Sequence, residues 1–184
     1  MKIRQARPTD AQHIAPLVYQ AIHDIAYSLT GTTDNALMLE RLGMWIQQPN
    51  NRLSHENIWV AVLEDEVAGV LIAYPGRDAL ALDRPIQEWL VSHGLDGHLD
   101  VETEGDVFYL DSISVDSRFG GRGIATKLIE FCLAYAREQH IPAVTLNVDQ
   151  TNPDAARLYE RLGFLKQMER DISGDRFDYM KRDV

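Results

Sequence analysis

Three glycines, Gly120, Gly121 and Gly123, stand close together in the stretch SRFGGRGIATKL, just before a segment with helical periodicity. Glycine weakens a helix, but it lets the backbone approach a ligand closely. A helix N-terminus presents unpaired N–H groups and a partial positive charge, and Arg118 and Arg122 add charge of the same sign. The arrangement predicts a cradle for a phosphate or pyrophosphate. A tight strand-to-helix turn is the alternative that the glycines alone leave open.

Two widespread phosphate-binding motifs fit this stretch poorly. The P-loop pattern Gly-x-x-x-x-Gly-Lys-Ser/Thr is absent in every frame. The dinucleotide pattern Gly-x-Gly-x-x-Gly is begun by Gly121 and Gly123, but Thr126 occupies the position of the third glycine. A nucleotide-binding protein is therefore the weaker alternative.

A second stretch, NPDAARLYERLGF, has the features of a complete short helix. Asn152 suits the N-cap, Pro153 the first helical position and Gly163 a left-handed C-cap. Tyr159 lies on the apolar stripe of this helix. Taken alone, the stretch predicts a packing helix with a core tyrosine and requires no ligand.

Together, VDSRFGGRGIATKLI and NPDAARLYERLGF resemble the GNAT superfamily of acyl-CoA-dependent N-acetyltransferases. That family shows Arg/Gln-x-x-Gly-x-Gly/Ala at the first stretch and Asn-x-x-Ala-x-x-Leu-Tyr-x-x-x-Gly-Phe at the second. In the first pattern Gly123 and Ala125 match, whereas Gly120 replaces the usual Arg or Gln. A competing alignment that begins at Arg118 and uses Gly121 changes the distance from the preceding strand, so the former is preferred. The second pattern is complete, in Asn152, Ala155, Leu158, Tyr159, Gly163 and Phe164.

This resemblance implies a fold and an activity. The implied fold is α/β, with a mixed, mostly antiparallel central sheet that holds one parallel, splayed strand pair and is flanked by helices. It implies a single N-acetyltransferase domain over residues 1–184, with 77–105 as an insertion. The implied activity is direct transfer of an acetyl group from acetyl-CoA, the cosubstrate, to a primary amine of a small molecule or peptide. The alternative is a non-catalytic relative that binds acyl-CoA as a sensor or interaction partner.

The resemblance also implies which residues hold the cosubstrate and act on it. The pyrophosphate of CoA would rest on amides of the glycine loop, and the pantetheine arm between two diverging strands. A backbone N–H near Val115 would meet the developing oxyanion, and Tyr159 would protonate the departing thiolate. The implied CoA-binding residues are Ile113, Val115, Arg118, Gly120, Gly121, Arg122, Gly123, Ile124, Ala125, Thr126, Asn152 and Tyr159.

The candidate for the proton acceptor lies on the strand before the glycine loop. Asp111 is the one carboxylate in the alternating row that starts at Val107 in VFYLDSISV. If that row is continuous, Asp111 lies among apolar neighbours, and its pKa is expected to be raised toward a useful value. A β-bulge near Ser112 would instead shift the phase of the row. An Asp111 that faces solvent or bonds a neighbouring strand stays open. The other candidates for the base are Tyr109, Glu104 and Asp106.

The surrounding periodicities predict the elements that position these residues. A strand, a helix and a strand in the second half predict a parallel pair joined by a right-handed crossover. Residues 93–106 are rich in glycine and acid, and they predict a loop of the length typical of functional lids. Strands are predicted at 2–6, 107–115, 143–148 and twice in the tail around Ser173, a hairpin at 57–76, and helices at 9–29, 34–47, 84–92, 123–140 and 153–162.

Composition limits the partners. The formal net charge is −10, and so acidic a surface would repel a phosphate backbone, which argues against nucleic-acid binding. Cys132 is the single cysteine, and no apolar run has the length of a signal peptide or a membrane span. We expect a cytoplasmic protein without a nucleic-acid or membrane partner and without a metal. A homodimer is considered, although no pattern selects it. The acids Glu102, Glu104 and Asp106 could attract a cationic amine, or form ordinary solvated surface.

Overall fold

One seven-stranded sheet organises the chain, which the computed structural model describes over all of residues 1–184. The strand order is β1-β2-β3-β4-β5-β7-β6, and every pair is antiparallel except β4 with β5, which is parallel. This is the mixed sheet that the sequence predicts. The strands are β1 (Lys2–Gln5), β2 (Ile58–Leu63), β3 (Glu66–Pro75), β4 (Phe108–Val115), β5 (Ala143–Asp149), β6 (Leu165–Ile172) and β7 (Asp175–Asp183).

Six helices cover the two faces of the sheet. They are α1 (Ala11–Ile22), α2 (Ile25–Thr30), α3 (Asn35–Gln47), α4 (Ala79–Ser92), α5 (Ile124–Glu138) and α6 (Pro153–Arg161). Side chains of β3 alternate between the faces, as the pleat of a strand requires. Val70 and Ile72 pack in a first core with α1 to α4, whereas Leu71 and Ala73 pack in a second core with α5 and α6. No helix combines the length and the apolar character needed to cross a bilayer.

Two helices differ from the sequence prediction. The predicted helix at 9–29 is interrupted at His23, whose φ of 44° and ψ of −122° end α1 before α2 begins. The helix predicted at 84–92 begins earlier, at Ala79. The prediction was wrong there because Pro85, which usually favours a first turn, lies inside the helix. Ala79, Ile86 and Leu90 share one buried stripe that fixes the helix against the first core.

A bulge and a splay distort β4. It pairs with β5 only over Phe108–Leu110, beyond which the two strands separate. On the other side, adjacent residues of β3 pair with Leu110 and Ser112, so Asp111 is the extra residue of a β-bulge. The expected alternative of a phase shift is thereby confirmed, and the continuous row is wrong: Tyr109 packs in the first core, whereas Ile113 packs against the second.

Candidate functional site

A cleft of about 870 Å³ opens where β4 and β5 separate. The end of α1 and α2 line it on one face of the sheet, and the start of α5 and α6 line it on the other. Ile22 and Leu29 border the first side, and Ala125 and Tyr159 border the second. Because the strands no longer pair at this point, the cleft connects the two faces and has room for two ligands that meet between the strands.

The strand residues expected to flank a pantetheine arm do border this cleft. Ile113 and Val115 of β4 are half-buried, and β5 contributes Asn147 and Val148 from the opposite side. The carbonyl of Val115 accepts a hydrogen bond of 3.1 Å from Nε2 of Gln20, which ties the end of α1 to the end of β4. The splay thus leaves two strand ends facing each other across a gap.

The glycine loop forms the N-terminal end of α5. Gly121 and Gly123 adopt φ values of +72° and +71°, and a Cβ added at either would meet no atom within 4 Å. The backbone conformation therefore requires glycine, and open space lies beside it. Ile124 is buried and packs in the second core, so only its backbone can reach a ligand at the loop, whereas Ala125 and Thr126 are half-buried. Of these loop residues, Ala125 lines the cleft.

The two arginines of the loop already have carboxylate partners. Nη1 of Arg118 lies 2.8 Å from Glu66, and its Nη2 lies 2.8 Å from Asp116. The hydrogen bonds that Arg118 donates to Asp116 and Glu66 raise the pKa of its guanidinium above the ordinary value. Arg122 lies 3.4 Å from Glu64. Because all of these side chains are near solvent, the pairs are weak and exchangeable. Glu64 and Glu66 of the β2–β3 hairpin therefore partly neutralise the positive charge expected at this loop.

Tyr159 combines burial with access to the cleft. It lies on α6, is 7% exposed, and packs edge-on against Phe164 with 5.9 Å between ring centroids. Burial raises the pKa of its hydroxyl to about 12. Asn152 caps the same helix, since its Oδ1 accepts from the Ala155 N–H at 3.1 Å, and it too lines the cleft. The helix and its cap are as predicted, and the tyrosine is both a packing residue and a cleft residue.

A buried charged cluster that the sequence did not reveal lies on the first face. Arg52 is 3% exposed, and its Nη2 lies 2.6 Å from Asp111 and 2.8 Å from Glu102. Its Nη1 lies 3.4 Å from Asp83. The hydroxyl of Tyr74 donates to Asp111 Oδ2 at 2.7 Å. The expectation that Asp111 lies among apolar neighbours is therefore wrong, because the bulge turns it toward a guanidinium and a hydroxyl.

Glu102 is the cluster member that comes from the loop before β4. Its Oε2 accepts from the Tyr109 hydroxyl at 2.7 Å, and Asn147 donates to that hydroxyl at 3.0 Å and to the Glu102 carbonyl at 2.9 Å. Burial raises the pKa of Glu102, Arg52 opposes that shift, and Asp111 adds to it. The sequence gives no periodic signal for Glu102, since loop residues have no repeating face.

Glu104 and Asp106, the other loop acids considered as the base, lie away from the cleft. Their side chains are 80% and 68% exposed, and each lies within 4 Å of an exposed or partly exposed arginine. Tyr109, by contrast, is buried, lines the cleft and bonds to Glu102. The four predicted candidates for the base thus separate into two residues of the cleft cluster, Tyr109 and Asp111, and two surface acids, Glu104 and Asp106.

Comparison with known proteins defines the class. Residues 19–164 match the family model described as the acetyltransferase (GNAT) family. The chain therefore belongs to the GNAT acetyltransferase family, which confirms the resemblance carried by the two motifs. The relatives that it matches are acetyltransferases, which supports an acyltransferase activity.

Solved structures extend the match to the whole fold. An N-acetyltransferase from Staphylococcus aureus Mu50 is 26% identical, has a TM-score of 0.84, and aligns over 99% of this chain and 100% of that one. A protein described as an acetyltransferase is 33% identical with a TM-score of 0.79 over 100% of both chains. N-alpha-acetyltransferase 30 of Saccharomyces cerevisiae is 32% identical over 72 residues, which span 39% of this chain and 39% of that protein.

Proposed function

We propose that the protein is an N-acetyltransferase that moves an acetyl group from acetyl-CoA to a primary amine of a small molecule or peptide. The observation that carries this proposal is the cleft between the splayed strands, because it joins Tyr159 on one face to the buried carboxylates on the other. The cosubstrate would bind from the α5–α6 face and the amine from the α1–α2 face. Cys132 is buried, and burial raises the pKa of its thiol, so direct attack by the amine is preferred to a cysteine intermediate.

The glycine loop fits the diphosphate of acetyl-CoA. Gly121 and Gly123 leave open space beside their Cα atoms, and the first amides of α5 have no helical partner. Residues 118–126 would hold the diphosphate through these amides, and Ile113 and Val115 would border the arm. Acetyl-CoA supplies an acyl group activated as a thioester. The strand ends hold the reacting groups together, which is the proximity contribution to the rate.

Tyr159 is proposed as the group that donates to the departing sulfur. A pKa of about 12 keeps the phenol protonated across the physiological range, so it is always available as a donor. Its packing against Phe164 fixes the ring, and the pKa and geometry together favour a donor rather than a base. From the family resemblance, we also propose that a backbone N–H near Val115 donates to the oxyanion that develops on the thioester carbonyl.

Removal of the ammonium proton is assigned to Glu102. Asp111 was the expectation, but its Oδ2 accepts two bonds from Arg52 and one from Tyr74. That oxygen is therefore already occupied by three donors. Glu102 accepts one bond at each oxygen, and its side chain is 11% exposed, against 4% for Asp111. We therefore propose Glu102 as the proton acceptor and Asp111 as the residue that positions Arg52 beside it.

The experiment that tests this function is release of CoA thiol from acetyl-CoA in the presence of polyamines, amino acids, aminoglycosides or short peptides. Release with one class, together with an acetylated product in the mass spectrum, supports the enzyme. A non-catalytic acyl-CoA sensor would bind acetyl-CoA in a calorimeter and release no thiol with any class. Binding of ATP or NAD in the same calorimetric experiment, without binding of CoA, would favour the nucleotide-binding alternative.

A further inference from the structure

The side chains that line the cleft carry an excess of negative charge. Arg52 is the one guanidinium among them, and it lies 2.6 Å from Asp111 and 2.8 Å from Glu102. Its single charge is therefore shared between these two acids and Asp83, which lies 3.4 Å from Nη1. The five carboxylates that line the cleft are Asp24, Glu102, Asp111, Asp149 and Asp175. The lining retains uncompensated negative charge, which favours a cation.

Two of these carboxylates are free at the exposed edge of the cleft. Asp24 precedes α2 but does not cap it through its side chain, and Asp175 is the first residue of β7. Both are exposed, and neither lies within 4 Å of a cationic side chain. Asp149, in contrast, is used locally, since its Oδ1 accepts from Thr151. Asp24 and Asp175 come from distant segments, so they do not form one solvated acidic run.

Buried hydroxyls provide an independent sign of a polar ligand on the same face. Ser112 and Ser114 of β4 are 7% and 6% exposed, line the cleft, and have hydroxyls with no hydrogen-bond partner. They alternate with Ile113 and Val115, which pack toward the second core, so they face the α1–α2 side. A buried hydroxyl without a partner is costly. A ligand with N–H groups would supply the missing bonds.

We propose that the acceptor carries a second positive charge beyond the amine that reacts, as in an alkyl diamine or an amine with a distal guanidinium. This inference rests on the proposed function and adds a subsite to it. The reacting nitrogen lies toward Glu102, its N–H groups donate to the hydroxyls of Ser112 and Ser114, and the distal cation is held by Asp24 and Asp175. An acceptor with a distal carboxylate is repelled by the same lining.

Three acceptors of matched length test the subsite. Cadaverine has a cationic distal end, pentylamine an apolar one and aminovalerate an anionic one. We expect kcat/KM for cadaverine to exceed that for pentylamine by about tenfold, the equivalent of one well-placed charge pair, with aminovalerate slowest. In the double variant Asp24→Asn/Asp175→Asn, the preference for cadaverine should fall toward unity while kcat/KM for pentylamine is retained. Asp65→Asn, in the exposed β2–β3 turn, removes charge outside the cleft and should leave the preference unchanged.

Calorimetric titration of cadaverine into the protein with CoA separates the two proposals. If cadaverine binds the parent protein but not the double variant, and no amine is turned over, the subsite is supported and the proposed activity is rejected. Turnover with equal kcat/KM for cadaverine and pentylamine rejects the subsite and keeps the activity. An equal loss of preference in Asp65→Asn, or absence of both binding and turnover for all three acceptors, also overturns the subsite.

Discussion

Arg52 and Asp111 are separated by 59 positions in the chain, yet Nη2 of the first lies 2.6 Å from Oδ2 of the second. The guanidinium is 3% exposed and the carboxylate 4%. Asp111 reaches it because the β4 bulge inserts one residue where β4 and β5 begin to separate. The same distortion therefore opens the cleft and completes the charged cluster beside it. A buried pair of this kind is weak evidence for stability, but its one-sided removal is costly.

The first prediction concerns the stability of this cluster. Arg52→Met leaves Asp111, Glu102 and Asp83 buried without their cation, and we expect it to lower the free energy of unfolding by about 3–5 kcal/mol. Arg4→Met is the matched control, because the Arg4–Asp10 pair is partly exposed, at 23% and 14%. It should cost about 1 kcal/mol or less. Urea denaturation measures both. Equal losses in the two variants would contradict the prediction.

The pH dependence of that loss follows from the directions of the pKa shifts. Burial raises the pKa of Glu102 and of Asp83, while Arg52 opposes the shift in both. A carboxyl whose pKa is higher in the folded than in the unfolded state binds more protons when folded. Its contribution to the free energy of unfolding therefore falls as the pH rises from the unfolded-state pKa to the folded-state pKa. Without Arg52, the largest effect that opposes burial is lost, and the difference between the folded-state and unfolded-state pKa values of these two carboxyls becomes larger. The deficit of Arg52→Met should therefore be larger at neutral pH than at a pH of about 5, and a deficit independent of pH would argue against buried ionised carboxylates.

The second prediction concerns Tyr159. Tyr159→Phe keeps the packing against Phe164 but removes the donor, so we expect kcat to fall by about 10²-fold while the affinity for CoA in calorimetry is unchanged. Tyr135→Phe is the control, since Tyr135 packs among Trp59 and Phe108 outside the cleft. It should leave both quantities unchanged. Because the pKa of Tyr159 is raised to about 12, no alkaline limb below pH ~10 should come from it. Unchanged kcat in Tyr159→Phe would remove the residue from the mechanism.

Local signals explain why much of the fold could be predicted. The caps at Asp34 and Asn152 accept bonds from N–H groups within three positions, and the alternation of β5 and the stripe of α6 are equally local. The break at His23 has no such local signal, and residues of both α1 and α2 pack in the first core. The start of α4 also lacks one, since a buried stripe outweighs the preference of Pro85 for a first turn.

The residues of the site likewise divide into those that local sequence signals predict and those that depend on distant segments. The positions of Tyr159 and Ala125 at the cleft could be predicted because each lies in a motif with fixed spacing. Arg52 could not, since it lies in an irregular polar segment and is buried only because acids from distant segments meet it. Asp111 was identified as a site residue by its place on the strand, but the bulge that decides its surroundings depends on pairing with β3.

The third prediction separates the two loop acids. Glu102→Gln keeps the shape and one acceptor oxygen but removes the base, and we expect kcat/KM to fall by about 10²–10³-fold. Glu104→Gln, two residues away on the same loop and 80% exposed, should retain full activity. In the parent enzyme the acid limb of kcat/KM against pH should lie above the ordinary range of a glutamate, because burial raises the pKa of Glu102. In Glu102→Gln this limb should disappear. If Glu104→Gln loses as much activity, the loop rather than the carboxylate is responsible.

The fourth prediction separates two effects of replacing a loop glycine: loss of the contact with CoA and strain in the backbone. Gly121→Val places a branched side chain in the open space beside the loop and at a φ of +72°, which a β-branched residue adopts only with strain. Gly94→Val imposes nearly the same φ, +71°, also with no atom within 4 Å, on the loop after α4. The two variants should therefore lose similar stability, about 1–2 kcal/mol. Only Gly121→Val should weaken CoA binding, by about tenfold or more, because only there does the new side chain stand between the ligand and the amides of α5. If both variants bind CoA as the parent does, the diphosphate rests elsewhere; if both bind it weakly, global strain explains the loss, and the loop has no special part in it.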